Sequence, residues 1–173
     1  MKVLVIGGGQ FGLGQAQALA AEGLDVIFAA VDLRSIRRFR RYGITHKVEG
    51  NIDSYSITNI PLGRFPVWVL EKVGNWELWK LYKHIFRDGS KPDVIHAHFS
   101  IYAGLNAVSL ARRIDRPLVI TEHSSAVMTN SADDPKNRAS CRAWKAADRV
   151  IAVSNPLARK IHELSGAGGG GGE

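Results

Sequence analysis

Short aliphatic runs alternate with longer amphipathic, Ala- and Leu-rich stretches along most of the chain. "KVLVI" (2–6) has the pattern of a buried strand and is closed by glycines. "GLGQAQALAAEG" (12–23) follows with helical spacing, and Gly23 is placed to end it. "DVIFAAV" (25–31) predicts the next strand. Residues 32–43 are arginine-rich with a helical pattern. Residues 48–66 read as short extended pieces, with turn residues at Gly50, Asn51, Pro61 and Gly63. Residues 67–88 predict an aromatic, basic helix. The alternation then resumes with a strand in "DVIHAHF" (93–99), a helix over 102–114 and a strand in "PLVITEH" (117–123). A helix over 137–147, a strand over 148–154 and a helix over 156–164, with Pro156 in its first turn, complete the pattern.

Near-continuous apolar strands that alternate with helices predict an α/β, Rossmann-like doubly wound fold. Its sheet is mostly parallel, with helices on both faces. In such a sheet, ligands bind outside the carboxyl ends of the strands, near a switch in strand order. Gly7 to Gly9, His96, His98, His123 and Ser154 all fall at or just after predicted strand ends. The expected domain covers residues 1–164. Residues 165–173, "SGAGGGGGE", have little side chain to bury and high backbone entropy, and are expected to form a flexible tail.

The 173 residues suffice for one domain with a proper core. No apolar run approaches the roughly 20 residues of a membrane span. The start, "MKVLVIGGG", lacks the features of a signal peptide, so a cytoplasmic location is expected. Cys141 is the single cysteine and forms no internal disulfide. It lies in a helical pattern that gives no reason to read it as a nucleophile. The formal net charge of +7 favours anionic partners without choosing among them.

Three groups of residues carry candidate chemistry. Gly7, Gly9 and Gly12 have the G-x-G-x-x-G spacing between a strand and a helix, where backbone N–H groups can approach a diphosphate. A dinucleotide site would also want an acid near Ala30, and Asp32 comes about two residues late. A plain tight turn and another kind of phosphate-facing loop are the alternatives. His96 and His98, two residues apart on a strand, point to one face. With His123 they allow a metal site, backbone-bonded structural histidines, or contacts to a polar ligand's hydroxyls or phosphates. Finally, "RSIRRFRRYG" holds Arg34, Arg37, Arg38, Arg40 and Arg41, and "FPVWVLEKVGNWELWKLYKHIF" holds Trp68, Trp76 and Trp79 among lysines. This profile fits either a membrane-facing surface or a solvated charged face. No nucleic-acid-binding motif accompanies it, and nucleic acid is not an expected partner.

Taken together, "GGQFGLGQAQALAAEGLDV", "IPLGRFP", "KPDVIHAHFSIYAGLNAVSLARRIDRPLVITEHSS" and "ADRVIAVSNPLARKI" resemble the N-terminal domain of a family 4 retaining glycosyltransferase of the two-domain GT-B fold. The likeness is to members that build surface polysaccharide. It covers roughly residues 1–164, and the central block is its most specific part.

The resemblance implies roles. Gly8 and Gly9 would face the donor diphosphate. His123 would act as the catalytic residue beside the transferred sugar. Gln10, His98, Glu122 and Ser124 would line the acceptor side of the cleft. It implies neither metal nor cofactor, with a nucleotide sugar as substrate and a saccharide or lipid-linked saccharide as acceptor. A lipid-linked acceptor would give Arg37, Arg38 and Arg41 an anionic membrane surface to face, at the inner side of the plasma membrane. The sequence departs from the family in its short segment between the first strand and the Gly-Gly pair. It also lacks the donor-binding domain with its paired glutamates, so this chain alone is expected to transfer nothing. The alternatives are a non-catalytic subunit that pairs with a separate donor-binding chain, a dinucleotide-binding oxidoreductase domain, and a non-catalytic membrane-surface protein.

Overall fold

The computed structural model describes residues 1–32, 43–58 and 65–166. Its centre is one seven-stranded sheet. In chain order the strands are β1 (Lys2–Ile6), β2 (Asp25–Asp32), β3 (Gly43–Glu49), β4 (Ile52–Thr58), β5 (Val94–His98), β6 (Leu118–Glu122) and β7 (Arg149–Ala152). Their spatial order is β3-β4-β2-β1-β5-β6-β7, and every neighbouring pair is parallel except β3 with β4. The helices are α1 (Gly9–Ala21), α2 (Val67–Ile85), α3 (Leu105–Ile114), α4 (Ser125–Thr129), α5 (Pro135–Ala146) and α6 (Asn155–Gly166). This is the expected doubly wound α/β architecture. From β1 the chain moves outward through β2 to β4, then returns to the other side of β1 with β5. The switch in strand order therefore lies between β1 and β5.

The continuous apolar runs follow from burial on both faces. In β1, Leu4 and Ile6 join a core with Ile95, Ala97 and Ile120, covered by α2, α3 and α5. Val3 and Val5 point the other way and pack with Val26, Phe28 and Ile52 beneath Ala16 of α1. Each fully buried aliphatic side chain contributes about 2 kcal/mol over its exposed state. Polar substitutions at Leu4 or Val5 would thus undermine the strand that carries the glycine loop.

Several expectations shift. Residues 48–58 of the stretch over 48–66 are part of a hairpin, β3 and β4, joined at Gly50 and Asn51, with Gly50 at φ 68°. β3 starts five residues earlier than expected because it is held by pairing rather than burial. Thr45 and Ser56 share a hydroxyl hydrogen bond of 2.7 Å, and His46 stacks on Tyr55 at 4.3 Å. The helix expected from residue 102 begins at Leu105, after a wide kinked turn over 100–104. α4 was not expected, and β7 stops at Ala152. The arginine-rich helix, and with it Arg37, Arg38 and Arg41, lies outside the described residues, as do Pro61, Gly63 and most of the glycine-rich tail.

Candidate active site

The carboxyl ends of β1, β5 and β6 are adjacent, and each carries a candidate residue. After β1 the chain turns through Gly7, Gly8 and Gly9, all with positive φ, and enters α1 directly. Gly7, Gly8 and Gly12 are required by their surroundings, Gly7 because its Cβ would stand 2.6 Å from that of Ala103. A Cβ on Gly8 would stand 2.6 Å from the Cβ of His98, and one on Gly12 would collide with the Gly7 carbonyl. The loop is therefore pressed against His98, and α1 is pressed against the loop. Gly9 faces open space, and Gln10 is exposed in the first turn of α1. The Gly8 carbonyl accepts from the amides of Phe11 (3.0 Å) and Gly12 (3.3 Å), and the start of α1 is its positive end, which favours an anion.

β5 places its two histidines on one face, as alternation requires, with ring centroids 4.7 Å apart. Their surroundings separate them. His96 is buried, and its Nε2 shares a 2.7 Å hydrogen bond with Thr121 Oγ1. Burial pushes the His96 imidazole below its ordinary range, and the nearby His123 adds to this. His98 is fully buried, and its Nδ1 shares a 2.9 Å hydrogen bond with His123 Nε2. Burial, then His96 and His123, lower the His98 pKa to about 4, so His98 is neutral at ordinary pH. Its Nε2 is buried without a partner among the described residues, and His98 lines a cavity of about 380 Å³.

That cavity lies between the glycine loop, the kinked turn and the start of α5. Gly8, His98, Glu122, Ser124, Asn106 and Ser140 contribute to its wall. Asn106 Oδ1 and Ser140 Oγ are likewise buried without a partner among the described residues. Hydrogen-bonding atoms that lack partners beside a cavity are suited to a hydroxyl-bearing ligand or to water.

His123 is half-buried and ringed by aromatic side chains. Phe99 lies 5.2 Å away and Phe11 5.6 Å away, centroid to centroid. Phe99 holds φ 67° and Tyr102 φ 62°, a conformation that costs each about 1–3 kcal/mol. The turn that contains them is fixed by surrounding bonds. Phe99 N donates to Thr121 O at 2.9 Å, and Gly104 N donates to Phe99 O at 2.9 Å. Glu122 supplies the strongest tie. It is fully buried, and its carboxylate accepts from the backbone amides of Ser100 (3.0 Å), His123 (3.1 Å) and Ser124 (2.9 Å). One carboxylate thus clamps the loops after β5 and β6 together. Its place in the cavity wall is compatible with the cleft-lining role, but its hydrogen bonds go to the fold.

The structure therefore brings Gly8, His98, Glu122 and Ser124 into one cavity wall, with His123 bonded to His98 beside it, while Gly9 and Gln10 follow Gly8 into α1 and do not line the cavity. Ser154 instead lies next to α6, where its Oγ accepts from Leu157 N at 3.4 Å. Cys141 sits in α5, and burial pushes its thiol upward, away from easy ionisation. Among the described residues no three His, Cys, Asp or Glu side chains are grouped to hold a metal ion. The histidines spend facing nitrogens on each other and on Thr121. Sequence reasoning missed Phe11, Phe99, Asn106 and Ser140. Helical phase could have flagged the last two as core-facing polar positions, but nothing in the sequence announces the left-handed backbone at Phe99.

The family model for Glycosyltransferase Family 4 matches residues 7–168. No curated protein matches the sequence. Sucrose-phosphate synthase (tll1590) from Thermosynechococcus elongatus superposes with a TM-score of 0.65 at 17% identity, covering 94% of this chain and 45% of that one. An α,α-trehalose-phosphate synthase (UDP-forming) from Burkholderia vietnamiensis gives 0.63 at 13% identity, covering 99% and 44%. UDP-GlcNAc 2-epimerase from Methanocaldococcus jannaschii gives 0.54 at 10%, covering 94% and 42%. At such identities the likeness concerns the fold, and this chain spans less than half the length of each of these proteins. The family match takes in the glycine loop, both histidine-bearing strand ends and α6, and on that basis the chain belongs to Glycosyltransferase Family 4.

Proposed function

We propose that residues 1–164 form the acceptor-side half of a glycosyltransferase that moves a sugar from a nucleotide-sugar donor to a saccharide acceptor with retention of configuration. The observation that carries this reading is the contact between Gly8 and His98 at the β1/β5 switch, with His123 bonded to His98. Gly7, Gly8 and His98 line one cavity, and His123 is bonded to His98 beside it. In this reading the amides of Gly8 and Gly9 face the departing diphosphate and stabilise its developing charge. His123 stands beside the transferred sugar. The acceptor hydroxyl enters the cavity along His98 and Ser124. Because His98 is neutral, its Nδ1 can accept from His123 Nε2–H, which holds the His123 ring in place.

The donor-binding wall would come from a second domain or a separate chain, since the similar proteins are more than twice as long as the stretch they share with this one. The isolated 173 residues would then transfer nothing. The experiment is sugar transfer by the protein together with its donor-binding half, comparing wild type with His123→Ala. Loss of at least about a hundredfold in kcat, with an unchanged melting temperature, supports the reading. Wild-type rates in that variant remove His123 from catalysis.

One observation favours a second reading. β2 extends through Asp32, so an acidic residue does close the strand next to the glycine loop, as a dinucleotide site requires. Tight binding of NAD(P) by the purified chain would favour this alternative, and failure to bind would dismiss it.

A further inference from the structure

We propose that the outer face of α2 is a seat for an anionic lipid surface. α2 buries Leu70, Gly74, Leu78 and Leu81 against the sheet. Its opposite face carries Trp68, Lys72, Trp76 and Lys80 at four-residue intervals, so all four fall in one stripe. The two tryptophans are 60% and 55% exposed. Each is paired along the stripe: Lys72 Nζ lies 5.5 Å from the Trp68 ring centroid, and Lys80 Nζ lies 4.9 Å from that of Trp76. Beside the stripe, the Arg113 guanidinium lies 3.6 Å from the Trp79 ring, and Lys83 continues the positive charge.

The acids of the helix are kept away from this face. Glu77 is fully buried, and Glu71 is bridged to Arg142 at 2.9 Å. Among the residues of α2, the exposed stripe thus presents indole rings and ammonium groups and carries no carboxylate of its own. Indole combines an apolar body with one N–H donor, which suits the headgroup region of a bilayer, and lysines on a long apolar stem reach the phosphates. Charge complementarity selects an anionic surface, in keeping with the formal net charge of +7. No helix among the described residues is long and apolar enough to cross a membrane, so this contact would be made from the surface.

The seat adjoins the candidate active site. Phe65 and Trp68, at the start of α2, line a groove of about 910 Å³ whose wall also includes Tyr102 and Lys136. The same Tyr102 and Lys136 line the cavity beside His98. This connection rests on the transferase reading: it would let a lipid-carried saccharide reach His98 and His123 without leaving the bilayer. The seat itself does not rest on it.

The test is co-sedimentation of the purified chain with phosphatidylcholine vesicles, with and without phosphatidylglycerol. The wild type is expected to pellet with the anionic vesicles, with a blue shift in tryptophan emission. Reversing Lys72 and Lys80 to Glu should lower partitioning at least about tenfold, since each cation near the surface contributes about 1 kcal/mol. Trp68→Ser with Trp76→Ser should lower it as well and abolish the blue shift. Both substitutions are on exposed positions, so far-UV circular dichroism should not change. No binding to anionic vesicles, unchanged binding in both variants, or binding to single-stranded nucleic acid in place of vesicles would each overturn the proposal. No sugar donor is present in this assay, so its outcome is independent of whether the protein transfers sugar.

Discussion

His98 Nδ1 lies 2.9 Å from His123 Nε2, so one hydrogen bond joins the carboxyl ends of β5 and β6 beside the cavity that His98 lines. The pair is unequal. His98 is fully buried and neutral, while His123 is half-buried. Residues that act through a shared bond do not contribute additively. In the active assembly, His98→Ala should lower kcat by tens of fold with little effect on donor KM. The double variant with His123→Ala should be little worse than His123→Ala alone. A double variant whose losses multiply would mean that the two imidazoles act separately.

The same burial predicts how stability depends on pH. His98 titrates at about 4 in the folded chain against an ordinary 6.5. Between these values the unfolded chain binds a proton that the folded chain does not, so stability must rise with pH across that window and level off above it. The shift corresponds to roughly 3 kcal/mol for His98, and His96, also lowered, acts in the same direction. Urea midpoints measured from about pH 4 to pH 8 should show the rise. His98→Gln should flatten part of it, and parallel curves for the two proteins would contradict the assignment.

How much of this was legible in the sequence depends on what holds each part. β1, β5 and β6 bury side chains on both faces, and their continuous apolar runs declare them. β3 keeps most of its residues exposed and owes its place to pairing with β4, so its own residues say little. The shared face of His96 and His98 followed from strand period alone. The bond from His98 to His123 did not, because it depends on the register that sets His98 opposite Thr121 and leaves His123 two residues beyond. The kinked turn was illegible for a similar reason. Phe99 and Tyr102 hold left-handed backbone that their side chains disfavour, and the bonds that impose it come from Thr121, Glu122 and Gly104, some of them distant in sequence.

Gly8 and Gly9 offer a matched pair of substitutions. Both have positive φ, but a Cβ on Gly8 meets His98 whereas one on Gly9 meets nothing within 4 Å. Gly9→Ala should cost about 1 kcal/mol from backbone strain alone. Gly8→Ala adds a displacement of His98 and should cost more, and it should also disturb the imidazole pair. Urea unfolding measures the first effect, and histidine ring NMR shifts measure the second. Equal costs, with unchanged His98 and His123 shifts, would argue against close contact of the loop with β5.

Glu122→Gln tests whether the site is held by its fold or by its ligand. The carboxylate accepts three backbone amides from two loops and is fully buried. An amide side chain keeps the size but turns an N–H₂ group toward at least one N–H donor, leaving that donor without an acceptor. Losing a charge-assisted bond and stranding a buried donor should cost about 2–3 kcal/mol, or roughly 5–10 °C in melting temperature for a chain of this length. Because Ser100 and Ser124 hang from the same carboxylate, the loops carrying Phe99 and His123 should loosen together. Amide hydrogen exchange should then rise at Ser100, His123 and Ser124, while Leu4 and Ile95 in the sheet stay protected. Exchange that rises across the whole sheet would mean Glu122 supports the global fold, and no change at the three amides would mean the clamp does not hold the site.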